Sequence, residues 1–110
     1  MFSLAYPEKS SNWANRFQMF ATQNMWTFIL LDSYNGRLWQ VQYSTQDLDN
    51  LFCIPINKNE LVENNERCVF SIQPLTSMYQ YYLINDNTGD MWKFQWSTKG
   101  DDYRWIERFR

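Results

Sequence analysis

Two stretches of this chain alternate between apolar and polar residues, and the two match each other. In the first, Trp39, Val41 and Tyr43 alternate with Gln40 and Gln42; in the second, Trp92, Phe94 and Trp96 alternate with Lys93 and Gln95. A period of two with aromatic and β-branched residues marks a strand with one buried face. Each stretch follows another that predicts a strand. The earlier of these is apolar on both faces, with Trp26, Phe28 and Leu30 on one and Met25, Ile29 and Leu31 on the other. Such a strand belongs in the middle of a sheet or under cover on both sides. Asn35-Gly36 separates the first pair, and Asp86-Asn87-Thr88-Gly89 separates the second. Both supply the positive φ that a tight hairpin needs. The pattern therefore predicts strands over Met25–Asp32 and Arg37–Ser44, and over Met78–Asn85 and Asp90–Ser97. Flanking strands are expected over Arg16–Thr22, Asn50–Ile56, Val69–Leu75 and Tyr103–Phe109. Pro55 and Pro74 belong at edges or strand ends, because proline cannot donate to a ladder.

The match between the halves is a repeat. Sliding the sequence by 53 positions places Phe17 on Phe70, Met25 on Met78, Leu30 on Leu83, Gly36 on Gly89, Trp39 on Trp92 and Gln42 on Gln95, without a gap. Ser44-Thr45 falls on Ser97-Thr98. Such self-similarity points to a duplicated supersecondary unit. The expected fold is all-β, a tandem duplication of a four-stranded antiparallel meander with about eight strands. Two arrangements are open: a pseudo-twofold barrel or sandwich, or two units like propeller blades. One domain is expected, with repeat 1 over 16–57, a linker over 58–67 and repeat 2 over 68–110. A pseudo-twofold would bring Trp39, Val41 and Tyr43 together with Trp92, Phe94 and Trp96, near Phe28, Leu30, Tyr81 and Leu83. Asn59-Glu60-Leu61-Val62 suits one helical turn, and Pro7–Ala14 suits a short helix with Trp13 as a lid on the core.

Composition narrows the class of function. The 110 residues include 6 Trp, 7 Tyr and 8 Phe, an aromatic load that excludes a disordered chain. There is no His, so the commonest general base and metal ligand is missing. With 10 basic and 12 acidic side chains, no strong field favours nucleic acid or an anionic membrane. Cys53 and Cys68 lack CxxC spacing and further ligands for zinc, and are expected to pack as buried or half-buried thiols. No stretch reaches the roughly 20 apolar residues of a spanning helix, and the N-terminus lacks the basic and apolar regions of a signal peptide. A cytoplasmic protein without membrane contact is the expectation.

Chemistry-bearing constellations are sparse. Asp32, Asp86, Asp90, Asp101 and Asp102 lie near turns, where their side chains bond their own backbone, rather than forming a catalytic pair. Cys53 and Ser44 have no His to activate them. Three glycines make no phosphate loop. Arg104, Arg108 and Arg110, interleaved with Trp105 and Phe109, form a small basic stripe offset by Asp101, Asp102 and Glu107. No catalytic residue, metal site or cofactor is expected. Candidate binding residues are the aromatics that strand alternation leaves unplaced, Trp13, Trp26, Tyr34, Tyr79 and Tyr82, which suit interfaces. Gln42 and Gln95 join them, because amides both donate and accept.

The run Arg16 to Asp32, followed by Gly36-Arg37-Leu38-Trp39-Gln40-Val41-Gln42, resembles a motif of small uncharacterised gut-bacterial proteins, Phe-x3-Pro-Thr-x-Asn-x-Trp-x-Phe-Leu-Leu-Leu-Asp-x3-Gly-x2-Trp-Gln-Val-Gln. Repeat 1 departs from it at Ala21, whereas repeat 2 has Pro74 in that slot. The resemblance implies no activity. The expected function is that of a small non-catalytic binding protein acting through a protein partner, such as an inhibitor or immunity-type factor. One alternative is a binder of a carbohydrate or anionic signalling molecule, with sites between repeats and an oligomeric assembly. Another is a structural or assembly subunit.

Overall fold

The computed structural model describes residues 16–43, 51–57, 59–62 and 69–110. Eight strands form two four-stranded antiparallel sheets, each a simple meander. The first sheet is β1 (Phe17–Ala21), β2 (Thr27–Asp32), β3 (Arg37–Gln42) and β4 (Phe52–Pro55). The second is β5 (Phe70–Pro74), β6 (Gln80–Asn85), β7 (Met91–Gln95) and β8 (Trp105–Arg108). The two units repeat in detail. Ile29 opposes Gln40 and Leu30 opposes Trp39, as Tyr82 opposes Lys93 and Leu83 opposes Trp92. Pro55 and Pro74 end edge strands, as proline requires. The Asn59–Val62 segment is a series of bends rather than a helical turn, because Leu61 N–H donates to Asn35 O on the first hairpin instead of closing its own turn. Pro7–Ala14 and Trp13 lie outside the described residues.

Opposed residues in a sheet share a face, so each sheet has two distinct sides. We call the side bearing Trp39 or Trp92 the front, and the other the back. The core cluster joins Ile29, Leu31 and Leu38, from the back of the first sheet, to Phe70, Tyr81, Leu83, Trp92, Phe94 and Trp96, from the front of the second. The units therefore pack front to back, the relation of neighbouring propeller blades. The sequence-based expectation that Trp39, Val41 and Tyr43 would meet Trp92, Phe94 and Trp96 does not hold. Trp92, Phe94 and Trp96 are buried, whereas Trp39, Val41 and Tyr43 are half-buried on the side away from the second sheet.

The physical reason is visible at β2 and β3. Strand β2 is apolar on both faces, so either side suits a core. Gln40, whose alternation with Trp39 suggested a solvated face, is fully buried between the sheets. Its Oε1 accepts from Ser97 N–H at 3.1 Å and from Arg104 Nε at 2.8 Å, while its Nε2 donates to Ser97 O at 2.9 Å. A buried amide with its bonds made carries little desolvation cost. Trp96 is satisfied similarly, its Nε1 donating to Met78 O.

The connector after β4 runs back along the first hairpin. Buried Asn57 accepts from Leu38 N–H and donates to Gly36 O, and Phe70 N–H donates to Ser33 O. Gly36 and Gly89 share a φ of 82°, which disfavours any side chain. Their surroundings differ. A Cβ on Gly36 would lie 3.1 Å from the Phe70 ring and from Leu61, whereas one on Gly89 would meet nothing within 4 Å. Both alanine variants lose stability through backbone strain, by about 1 kcal/mol. Gly36→Ala loses more, because buried Phe70 must also shift. Equal denaturation midpoints for the two variants would contradict this packing.

Candidate functional site

The front of the first sheet is the main candidate surface. Register places Met19, Leu30, Trp39 and Pro55 in one row across it, with Ala21, Phe28, Val41 and Cys53 in the next. Phe17 packs beside Trp39 with ring centroids 6.5 Å apart. Tyr43 stacks on Phe28 at 6.0 Å and takes the edge of Trp26 at 5.3 Å. Nothing among the described residues joins these side chains to the core cluster. Six matching positions in the second unit, Phe70, Tyr81, Leu83, Trp92, Phe94 and Trp96, are core: Phe70 is 1% exposed, whereas its repeat mate Phe17 is 54% exposed.

Cations border this aromatic row. The Arg16 guanidinium lies 5.1 Å from the Phe17 centroid and 5.0 Å from that of Tyr34, and Arg37 lies 5.0 Å from that of Trp39. Guanidinium over an aromatic face is favourable. Arg16 also grips buried Asp32 through two parallel bonds of 3.0 Å, and that carboxylate raises the Arg16 pKa. Asp32 in turn accepts from Tyr34 N–H, the turn chemistry expected of it. Arg37 Nε is buried without a hydrogen-bond partner among the described residues.

The residues singled out from sequence are distributed as follows. Trp26 and Tyr34 belong to this surface. Tyr79 and Gln95 line one cavity of about 210 Å³ with Trp96, Ser97, Thr98, Lys99 and Tyr103. Tyr79 packs on Trp96 at 4.7 Å, and Gln95 bridges Gln80 Nε2 and Tyr103 O. Gln42 Oε1 accepts from the Thr27 hydroxyl and from Gln40 Nε2. Tyr82 lies on the back of the second sheet against Phe109. The basic stripe is broken up. Arg104 turns inward to Gln40 and Asp101, and Arg108 pairs with Asp90 at 2.9 Å. Phe17 carried no sequence signal of exposure, because it is identical to its buried mate Phe70.

A second cavity of about 420 Å³ opens between the sheets, lined mainly by apolar groups of Phe20, Ile72, Pro74, Leu75, Met78 and Tyr81. Burial pushes the Tyr81 phenol above its ordinary value, and the ring stacks on Phe94 at 5.3 Å. The folded protein thus holds the Tyr81 proton more tightly than the unfolded chain. Stability contributed this way is intact below the unfolded tyrosine value of about 10 and is lost as pH rises above it. Alkaline titration is expected to show the Tyr81 tyrosinate signal at higher pH in the folded protein than in the unfolded chain, and Tyr81→Phe removes it; a Tyr81→Phe profile identical to wild type would contradict this.

Cys53 is exposed on edge strand β4, not buried as expected, because β4 has a neighbour on one side only. Partial desolvation raises its thiol pKa, which makes it a poor nucleophile. Cys68 lies outside the described residues. Among the described residues, no three His, Cys, Asp or Glu side chains gather to hold a metal ion, and no helix is long and apolar enough to cross a membrane. No protein-family model, curated protein or solved structure matches the chain.

Proposed function

We propose that this chain is a non-catalytic interaction protein whose first sheet presents its aromatic front to a protein partner. One observation carries the reading. The front that is core in the second unit recurs in the first with Phe17, Leu30, Trp39 and Val41, yet no described element packs on it. Aromatic rings flanked by arginine are the residues that dominate protein interfaces.

The test is capture of a partner from the source cell by wild type and by folded variants. Phe17→Asp and Trp39→Ala are expected to lose the partner, and Gln95→Ala, on the second sheet, to keep it. Equal capture by all four proteins would remove the front face from the account. The apolar cavity between the sheets supports a second reading, a small hydrophobic ligand held against Ile72 and Met78. Narrowing it with Ile72→Phe would then abolish ligand-induced thermal stabilisation while leaving partner capture intact.

A further inference from the structure

We propose that the partner of this face is a second copy of the same chain, stacked head to tail with the back of its second sheet on the front of the first. The inference rests on the reading of that front as an interaction surface, and adds the identity of its occupant. The chain carries its own template for the contact. Within it, the back of one unit lies on the front of the other, which leaves one front and one back outside the core cluster among the described residues.

The two left-over faces match the two used ones through the repeat. The spare front has Phe17, Leu30 and Trp39 where the buried front has Phe70, Leu83 and Trp92. The spare back has half-buried Tyr82, Ile84 and Met91 where the buried back has Ile29, Leu31 and Leu38. Phe70 sits over Gly36, close enough that a Cβ there would lie 3.1 Å from its ring. Gly89 has the same φ and open space within 4 Å. Phe17 of one copy, seated on Gly89 of the next, therefore repeats a contact that the chain already makes once. The bond from Phe70 N–H to Ser33 O would be matched between copies by one from Phe17 N–H to the Asp86 carbonyl, which the offset of 53 puts in those places.

The match is softened at several positions. Lys93 replaces Gln40, Leu51 replaces Arg104 and Glu107 replaces Ile54, so the Gln40 bridge is not repeated between copies and the contact is reversible. Because front and back differ, the contact is heterologous, and it builds a ring or an open stack rather than a twofold dimer.

Sedimentation of the full chain across a roughly hundredfold range of concentration tests this. Wild type is expected to rise above monomer mass as concentration rises. Phe17→Asp damages only the front. Met91→Arg damages only the back, by placing a charge where its repeat mate Leu38 is fully buried. Each variant alone is expected to stay monomeric with an unchanged circular dichroism spectrum. Their equimolar mixture is expected to form a dimer and nothing larger, because it holds one intact front and one intact back per pair. A wild type that is monomeric throughout, a mixture that stays monomeric, or self-association of Met91→Arg through paired fronts would each overturn the proposal. If wild type is monomeric but Phe17→Asp still loses a captured partner, head-to-tail stacking fails and the interaction surface stands.

Discussion

Trp92→Ala is expected to lower stability by about 3–5 kcal/mol, the range for removing a large buried aromatic. The same change at its repeat mate Trp39 is expected to cost about 1 kcal/mol, as for a half-covered side chain. The inequality follows from packing, since the two residues share their strand position and pairing. Trp92 belongs to the core cluster, packs on Phe70 at 5.8 Å and takes the Arg108 guanidinium over its face. Trp39 faces away from the second sheet, with Phe17 and Arg37 as neighbours. For a domain near this size, about 4–8 °C of melting temperature accompanies each kcal/mol. The Trp92 variant should thus melt well below the Trp39 variant in dilute solution. Equal losses would mean that the two fronts are equivalently buried.

The second large effect is expected at Gln40. Gln40→Leu keeps the volume but strips Arg104 Nε and Ser97 N–H of their partner, and leaves Ser97 O with Arg104 Nη2 alone. Buried groups left unpaired cost about 1–3 kcal/mol each, and more when one is charged. A loss of about 3 kcal/mol is therefore expected, since Arg104 retains Asp101. The Arg104→Ala change removes the same link from the other side. The double variant should cost less than the sum of the single ones, with a coupling of about 1–3 kcal/mol. Strict additivity in denaturant melts would show that the amide and the guanidinium do not act as one bridge.

How much of this was legible in the sequence depends on the level considered. The hairpins were, because Asn35-Gly36 and Thr88-Gly89 sit between runs of strand-forming residues, and the offset of 53 fixed which positions correspond. The side of each sheet that would be buried was not. Strand β2 offers Ile29 and Leu31 as readily as Phe28 and Leu30, so the choice of face fell to β3. There Gln40 reads as outward. Only the three-dimensional pairing with Ser97 and Arg104, 57 and 64 residues away, makes its burial favourable. The same limit governs the site. Trp26 and Tyr34 were visible as aromatics that alternation leaves unplaced. Phe17 was hidden by its identity with Phe70, since a repeat gives equal residues and packing alone makes them unequal.

Two like units pack front to back, which buries one aromatic front and leaves the other outside the core cluster among the described residues. Nuclear Overhauser contacts between side chains of the full-length protein test it most directly. Front-to-back packing predicts contacts from the methyl groups of Ile29, Leu31 and Leu38 to the rings of Phe70, Phe94 and Trp96. Contacts from the Val41 methyl groups to the rings of Phe94 and Trp92 in the monomer would instead place the two fronts together and contradict it.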